Sequence, residues 1–192
     1  DKTLFELTLS RTKFLKNCIQ PIIVTNEEYR FYVTNSLKKC AVNAMCINEP
    51  SSKNTTAAIY LSAKLSEPND ELLIMPSDHF IREEKLFSKI VAKSYKEKKY
   101  DQLIVFGVEP KSPHTGYGYI DVSSSSNNNQ IFLKKVSNFK EKPNSKTAEQ
   151  FIKKGYLWNA GIFMCKSKTI IKSINKFVPN ISKYCDIAIE KM

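Results

Sequence analysis

Histidine and arginine are scarce in this chain. There are 2 histidines, and among 30 basic residues only Arg11, Arg30 and Arg82 are arginine. With His79 and His114 alone, a multi-histidine metal site is excluded. The 5 cysteines, at positions 18, 40, 46, 165 and 185, are odd in number and form no C-x-x-C pair. Neither a zinc site nor a disulfide framework is indicated, and reduced thiols in a cytoplasmic protein are the simplest reading. No run of about 18 apolar residues exists, which excludes a membrane-spanning helix. No signal-peptide pattern opens the chain.

What is present is lysine, and with it a net charge of +11. Lys85, Lys89, Lys93 and Lys96 are spread along one helical pattern. Arginine is the better tool for bidentate phosphate and base contacts. The lysine excess therefore reads as a solvated surface and predicts no nucleic-acid partner. It equally suits an enzyme whose substrates are phosphates. With 42% hydrophobic residues in a length of 192, the chain can bury one sizeable core. Asp1 at the start and Met192 inside a helical pattern predict residues lost at both ends.

Helical and strand patterns alternate. Leu4, Leu7, Arg11, Phe14 and Leu15 share one face of an opening helix. Pro21–Val24 reads as a strand. Thr25 and Glu28 form an S/T-x-x-E capping box ahead of a helix to about Lys39. Ala44–Ile47 reads as a strand, and Asn54 caps a helix through Leu65. Leu72–Met75 and Leu103–Val108 are continuous apolar runs, the mark of strands buried on both faces. Ile81–Lys98 is helical, a helix from Lys146 closes at Gly155, Leu157–Cys165 is a strand, and two helices finish. The run Ser123–Asn129 is a surface excursion. This pattern predicts an α/β fold: a Rossmann-like, mostly parallel sheet with helices on both faces. Such sheets place ligands beyond the carboxyl ends of their strands.

Chemistry is therefore sought after each strand. Leu72–Met75 runs into Pro76-Ser77-Asp78-His79. Asp78 is placed to hold Mg²⁺ against phosphates, since this hard cation takes carboxylate oxygen; the position also suits a turn or helix-cap Asp. Glu49, with its paired acceptors, matches the donors on a guanine edge, and it precedes Asn54-Thr55 at a helix N-terminus where a base or phosphate can meet backbone N–H groups. A plain N-cap at Asn54 is the alternative. Two of the 5 glycines fall in Thr115-Gly116-Tyr117-Gly118-Tyr119-Ile120, where a close ligand or a tight turn explains them equally. Glu141-Lys142-Pro143 sets a carboxylate and an ammonium side by side; both reach one ligand only if the strand bends there, and a solvated charge pair is the alternative. In Trp158-Asn159-Ala160-Gly161, Asn159 can both donate to and accept from a sugar hydroxyl; a core aromatic beside a structural Asn is the alternative.

The order E-P-x-x-x-N-T-x-x-A, P-S-D-H, F-G-x-x-P, T-G-Y-G-Y-I, F-x-E-K-P and W-N-x-G resembles the mannose-1-phosphate guanylyltransferases, within the sugar-1-phosphate nucleotidyltransferase family. The resemblance covers nearly the whole chain. It implies a nucleotide-diphospho-sugar transferase fold, with residues 1–192 as one partial catalytic domain truncated at both ends. It implies guanylyl transfer from GTP to mannose 1-phosphate, giving GDP-mannose and pyrophosphate, with Mg²⁺ as cofactor. By the same resemblance, Asp78 is the metal-binding and catalytic carboxylate. Lys142 faces the sugar phosphate, and Glu49, Asn54 and Thr55 lie on the guanine side. Gly116, Glu141 and Asn159 meet the sugar. A homo-oligomer is allowed. The same chemistry with glucose 1-phosphate and dTTP or UTP is the alternative, as is a homologue that only senses a sugar nucleotide. Lys53-Asn54-Thr55-Thr56-Ala57-Ala58 departs from the family's R-N-T-A-P-A. The family's Gly-rich phosphate loop and second metal-binding Asp are absent, which predicts that these residues alone lack transferase activity.

Overall fold

A computed structural model describes residues 2–15, 17–51, 53–99, 101–122 and 133–191. Asp1, the Ser123–Asn129 run and Met192 lie outside them. The elements in order are helix α1 (Leu4–Thr12), strand β1 (Ile22–Asn26), a 3-10 turn (Glu27–Tyr29), α2 (Arg30–Cys40), β2 (Met45–Glu49), α3 (Thr55–Lys64), β3 (Glu71–Ile74), α4 (Glu84–Glu97), β4 (Ile104–Val108), β5 (Tyr119–Asp121), β6 (Asn138–Lys140), α5 (Ser145–Lys153), β7 (Leu157–Lys166), α6 (Ser167–Phe177) and α7 (Pro179–Glu190).

Local chemistry explains most boundaries. Thr3 caps α1 through its hydroxyl, which accepts the Glu6 N–H, while the Glu6 carboxylate accepts the Thr3 N–H. The same signature at Thr25 and Glu28 forms no capping box. Thr25 lies within β1, paired with Asn48, and Asn26 instead accepts from the Glu28 N–H. Strand pairing took the residue that local pattern assigned to a cap. The helix expected from Ile81 begins at Glu84. Gly155, at φ +75°, closes α5 in the left-handed conformation that glycine adopts without strain.

The α/β architecture is as the alternation predicts, but the expected mostly parallel sheet is not: among the described residues one strand pair is parallel and four are antiparallel, because β7 inserts between strands that would otherwise pair. β1 and β2 form a parallel pair. In the larger sheet, β7 pairs antiparallel with β3, β4 and β5, and β5 with β6. β3 and β4 therefore run in the same direction, but β7 lies between them rather than leaving a parallel ladder. Strand direction is local, whereas the insertion of a strand from residues 157–166 is a long-range fact that no pattern in β3 or β4 records.

Alternating residues face two helical layers. Ile162 and Met164 of β7 join Ile104, Phe87 and Val91 in a cluster under α4. Cys165 joins Ala63 and Ile170 under α3 and α6, with Leu72 and Ile74 packed against them. That period of two puts helices on both faces of β3 and β7. Each such large side chain contributes about 1.5–3 kcal/mol on burial. At the edge of the α3 layer, the Tyr60 hydroxyl donates to Asp186, tying α3 to α7. A nearly buried ion pair joins Lys98 to Glu71. Burial, with Glu71 nearby, pushes the Cys165 thiol up to about 11, so this cysteine is a core residue.

Candidate active site

Three segments far apart in sequence meet at Tyr117-Gly118. The Lys142 N–H donates to the Tyr117 carbonyl at 3.2 Å, and the Asn159 N–H donates to the Gly118 carbonyl at 2.8 Å. The Glu141 carboxylate lies so close to Gly118 that a Cβ there would come within 2.7 Å of Glu141 Oε2 and 2.8 Å of the Phe139 ring. A side chain at this position would require the Glu141 carboxylate and the Phe139 ring to move. Gly116, two residues earlier, donates its N–H to His114 Nδ1 at 3.1 Å. The sheet fixes this meeting: Tyr119 stands opposite Trp158 in β7 and opposite Lys140 in β6. Gly116, Glu141, Lys142 and Asn159 are therefore gathered at one end of the larger sheet.

The strand bend that Glu141-Lys142-Pro143 requires is present. Lys142 has φ +43°, a left-handed conformation that costs a lysine roughly 1–2 kcal/mol. The turn puts Lys142 Nζ 3.9 Å from Glu141 Oε1, with both side chains more than half exposed, so the two heads share one patch of solvent. Asn159 Oδ1 accepts the Gly161 N–H at 3.2 Å. Beside this group stands an aromatic cluster. The His114 and Tyr117 rings stack at 4.3 Å, and Tyr117 meets Trp158 edge-on at 4.9 Å. Trp158 Nε1 is buried without a hydrogen-bond acceptor.

Asp78 sits in an exposed turn at the carboxyl end of β3. α1 holds that turn from below. The Thr8 hydroxyl donates to the Ser77 carbonyl at 3.3 Å, and Arg11 Nη2 donates to the His79 carbonyl at 3.0 Å. Two residues before Asp78, Pro76 packs on Gly161: a Cβ on Gly161 would lie 3.5 Å from Pro76 Cγ. Gly161 has φ +66° within β7, and four steps along β7 from Asn159 to Phe163 match two along β4 from Gly107 to Val105. This bulge carries β7 from the Asp78 turn to Asn159.

Glu49, Asn54 and Thr55 occupy a different place, the carboxyl end of the β1–β2 pair, where Glu49 stands opposite Asn26. Burial pushes the Glu49 carboxyl up from its ordinary 4.5. Asn54 holds the N-cap position of α3 but its side chain makes no capping hydrogen bond. Its side chain thus does not satisfy the N–H groups of the first turn of α3, and its exposed amide stands at that helix N-terminus. Surface depressions of about 370 and 350 Å³ lie elsewhere, one lined by Asp101, Lys168 and Lys172, the other between α2 and Cys46-Asn48. Neither is lined by a candidate residue.

Among the described residues, no three His, Cys, Asp or Glu side chains converge to cage a cation. A single carboxylate at Asp78 suits a cation that arrives on substrate phosphates, which is the habit of Mg²⁺. Sequence reasoning did not assign Thr8, Arg11 or Tyr117 to the site. For Arg11 a signal existed: a charged residue on the apolar face of the opening helix.

Comparison with known proteins adds the following. Residues 1–192 match the nucleotidyl transferase family model. A mannose-1-phosphate guanylyltransferase of Salmonella montevideo is 34% identical over 195 residues, covering 98% of this chain and 41% of that protein. An alginate biosynthesis protein of Pseudomonas syringae pv. tomato is 33% identical, covering 100% of this chain and 40% of its own length. The chain thus spans about two fifths of the curated relatives it matches. A crystal structure of a mannose-6-phosphate isomerase from Helicobacter pylori superposes with a TM-score of 0.86 at 32% identity, over 98% of this chain and 71% of that one. A Thermus thermophilus structure titled as a mannose-1-phosphate geranyltransferase shares the fold, with a TM-score of 0.82 at 23% identity over 100% of this chain and 55% of that one.

Proposed function

The chain belongs to the nucleotidyl transferase family, and we propose that the protein carrying it transfers a guanylyl group from GTP to mannose 1-phosphate, releasing pyrophosphate. The observation that carries this reading is the junction at Tyr117-Gly118. It unites a carboxylate, an ammonium and an amide that suit a sugar phosphate. The names of the relatives, guanylyltransferases and an alginate biosynthesis protein, support mannose 1-phosphate as acceptor and a sugar nucleotide for polysaccharide synthesis as product.

In this reading a phosphate oxygen of the sugar phosphate attacks the α-phosphorus of GTP, and pyrophosphate departs on the opposite side. A phosphate monoester is already largely anionic near neutral pH, so no general base is needed. The protein's task is positioning and charge neutralisation. Lys142 holds the attacking phosphate. Glu141 and Asn159 bind sugar hydroxyls, and the backbone at Gly116 admits the sugar closely. Glu49 accepts from the guanine edge, with Asn54 and Thr55 beside it at the start of α3. Asp78 would hold Mg²⁺, which would supply charge neutralisation to the nucleotide phosphates.

The test is pyrophosphate release by the full-length protein, compared with Asp78→Asn and Lys142→Met. Each substitution is expected to cut kcat/KM by roughly a hundredfold, as loss of one charged contact does. Unchanged rates in both variants would contradict the assignment.

A further inference from the structure

We propose that Arg11 is a positioning residue for the Asp78 turn, acting through α1 on the two peptide carbonyls that flank Asp78. The proposal rests on the reading of Asp78 as the carboxylate that meets the nucleotide-borne cation.

Arg11 is 1% exposed, the most unusual place in this chain for a charge. Its Nη2 donates to the His79 carbonyl at 3.0 Å, and its Nη1 donates to Thr8 Oγ1 at 3.3 Å. Thr8 passes the contact on, since its hydroxyl donates to the Ser77 carbonyl at 3.3 Å. One fork therefore grips both sides of Asp78 and leaves the carboxylate itself free in solvent. The guanidinium lies 5.9 Å from the centre of the Phe87 ring, within reach of a cation–π contact. Lysine has neither the fork nor the planar face. Arg11 Nε is buried without a partner, a cost that an apolar residue on this face would avoid. A side chain serving only to fill the core would not need a guanidinium.

A turn whose carbonyls are anchored presents its carboxylate in one orientation. Partners that orient a ligand typically change metal affinity about tenfold to a hundredfold when removed. The experiment measures Mn²⁺ affinity of the full-length protein in complex with GTP by electron paramagnetic resonance. The variants are Arg11→Lys, Arg11→Met, Thr8→Val and Asp78→Asn, with melting temperature and mannose 1-phosphate affinity read alongside. Thr8→Val keeps Arg11 on Phe87, so it tests the grip if the Arg11 variants fail to fold. The expected result is about tenfold weaker Mn²⁺ binding in Arg11→Lys and a smaller loss in Thr8→Val, with mannose 1-phosphate affinity within about twofold of the parent. If Asp78→Asn weakens Mn²⁺ binding while folded Arg11→Lys and Thr8→Val do not, the positioning role is wrong and the Asp78 reading stands. If Asp78→Asn leaves Mn²⁺ binding unchanged, the Asp78 reading itself is wrong.

Discussion

The backbone N–H of Asn159 donates to the carbonyl of Gly118 at 2.8 Å, and this bond joins the W-N-x-G strand to the T-G-Y-G-Y-I turn. Gly118 immediately precedes β5 and Asn159 is the third residue of β7, each next to the facing pair Tyr119 and Trp158. The sheet register thus sets the spacing of the proposed sugar contacts. A side chain at Gly118 would strike the Glu141 carboxylate and the Phe139 ring. Gly118→Ala is expected to displace Glu141, raising KM for mannose 1-phosphate roughly tenfold while KM for GTP stays within about twofold. Steady-state kinetics check this; equal rises in both KM values would point to general damage.

The left-handed Lys142 predicts an opposition between stability and function. Removing its Cβ relieves roughly 1–2 kcal/mol of strain, offset by about 0.5–1 kcal/mol of added chain entropy in the unfolded state. Lys142→Gly is therefore expected to hold or raise Tm, by up to about 6 °C for a chain of this size. It should also weaken binding of mannose 1-phosphate at least about tenfold through the lost charged contact. Lys142→Met should lose the affinity without the gain in Tm. Calorimetry and a binding titration decide, and a fall in Tm for the glycine variant would contradict the strain argument.

Acid stability should depend on Glu6. The Thr3 N–H and the Lys39 ammonium, 3.0 Å away, hold this carboxyl below its ordinary 4.5. A group depressed in the folded state stabilises above its unfolded value, and that stability is lost as the pH falls through the folded value. Glu6→Gln keeps the cap shape but not the charge. The parent should melt above Glu6→Gln at pH 7, and the gap should close as the pH drops below 4.5. A gap that is constant with pH would mean that the charge contributes nothing.

Much of this was legible in the sequence where the signal is local. Leu72 to Ile74 and Ile104 to Val108 appear as strands because an apolar run has few other places to go. The bend at Lys142 was readable because neighbouring strand residues face opposite ways and Pro143 favours a departure. Position relative to other segments was not readable. Thr25-x-x-Glu28 and Thr3-x-x-Glu6 carry one signature, yet only the second caps a helix, since Thr25 is taken up by pairing with Asn48. The place of β7 between β3 and β4 likewise follows from pairings across fifty residues or more. Arg11 showed its anomaly but not its distant partner, the His79 carbonyl, because helix periodicity says which face a residue occupies and nothing of what that face meets.

The central claim, guanylyl transfer, is tested most directly by base choice. Glu49 at the end of β2, ahead of Asn54-Thr55, offers paired acceptors to the donors of guanine, which uracil and thymine do not present in pairs. The full-length protein should be given mannose 1-phosphate with GTP, UTP or dTTP, and kcat/KM measured for each with the product identified by mass. The account predicts at least roughly a tenfold preference for GTP, about 1.4 kcal/mol, and GDP-mannose as product, with the preference collapsing in Glu49→Gln. Equal specificity constants for the three nucleotides, or an unchanged preference in Glu49→Gln, would contradict it.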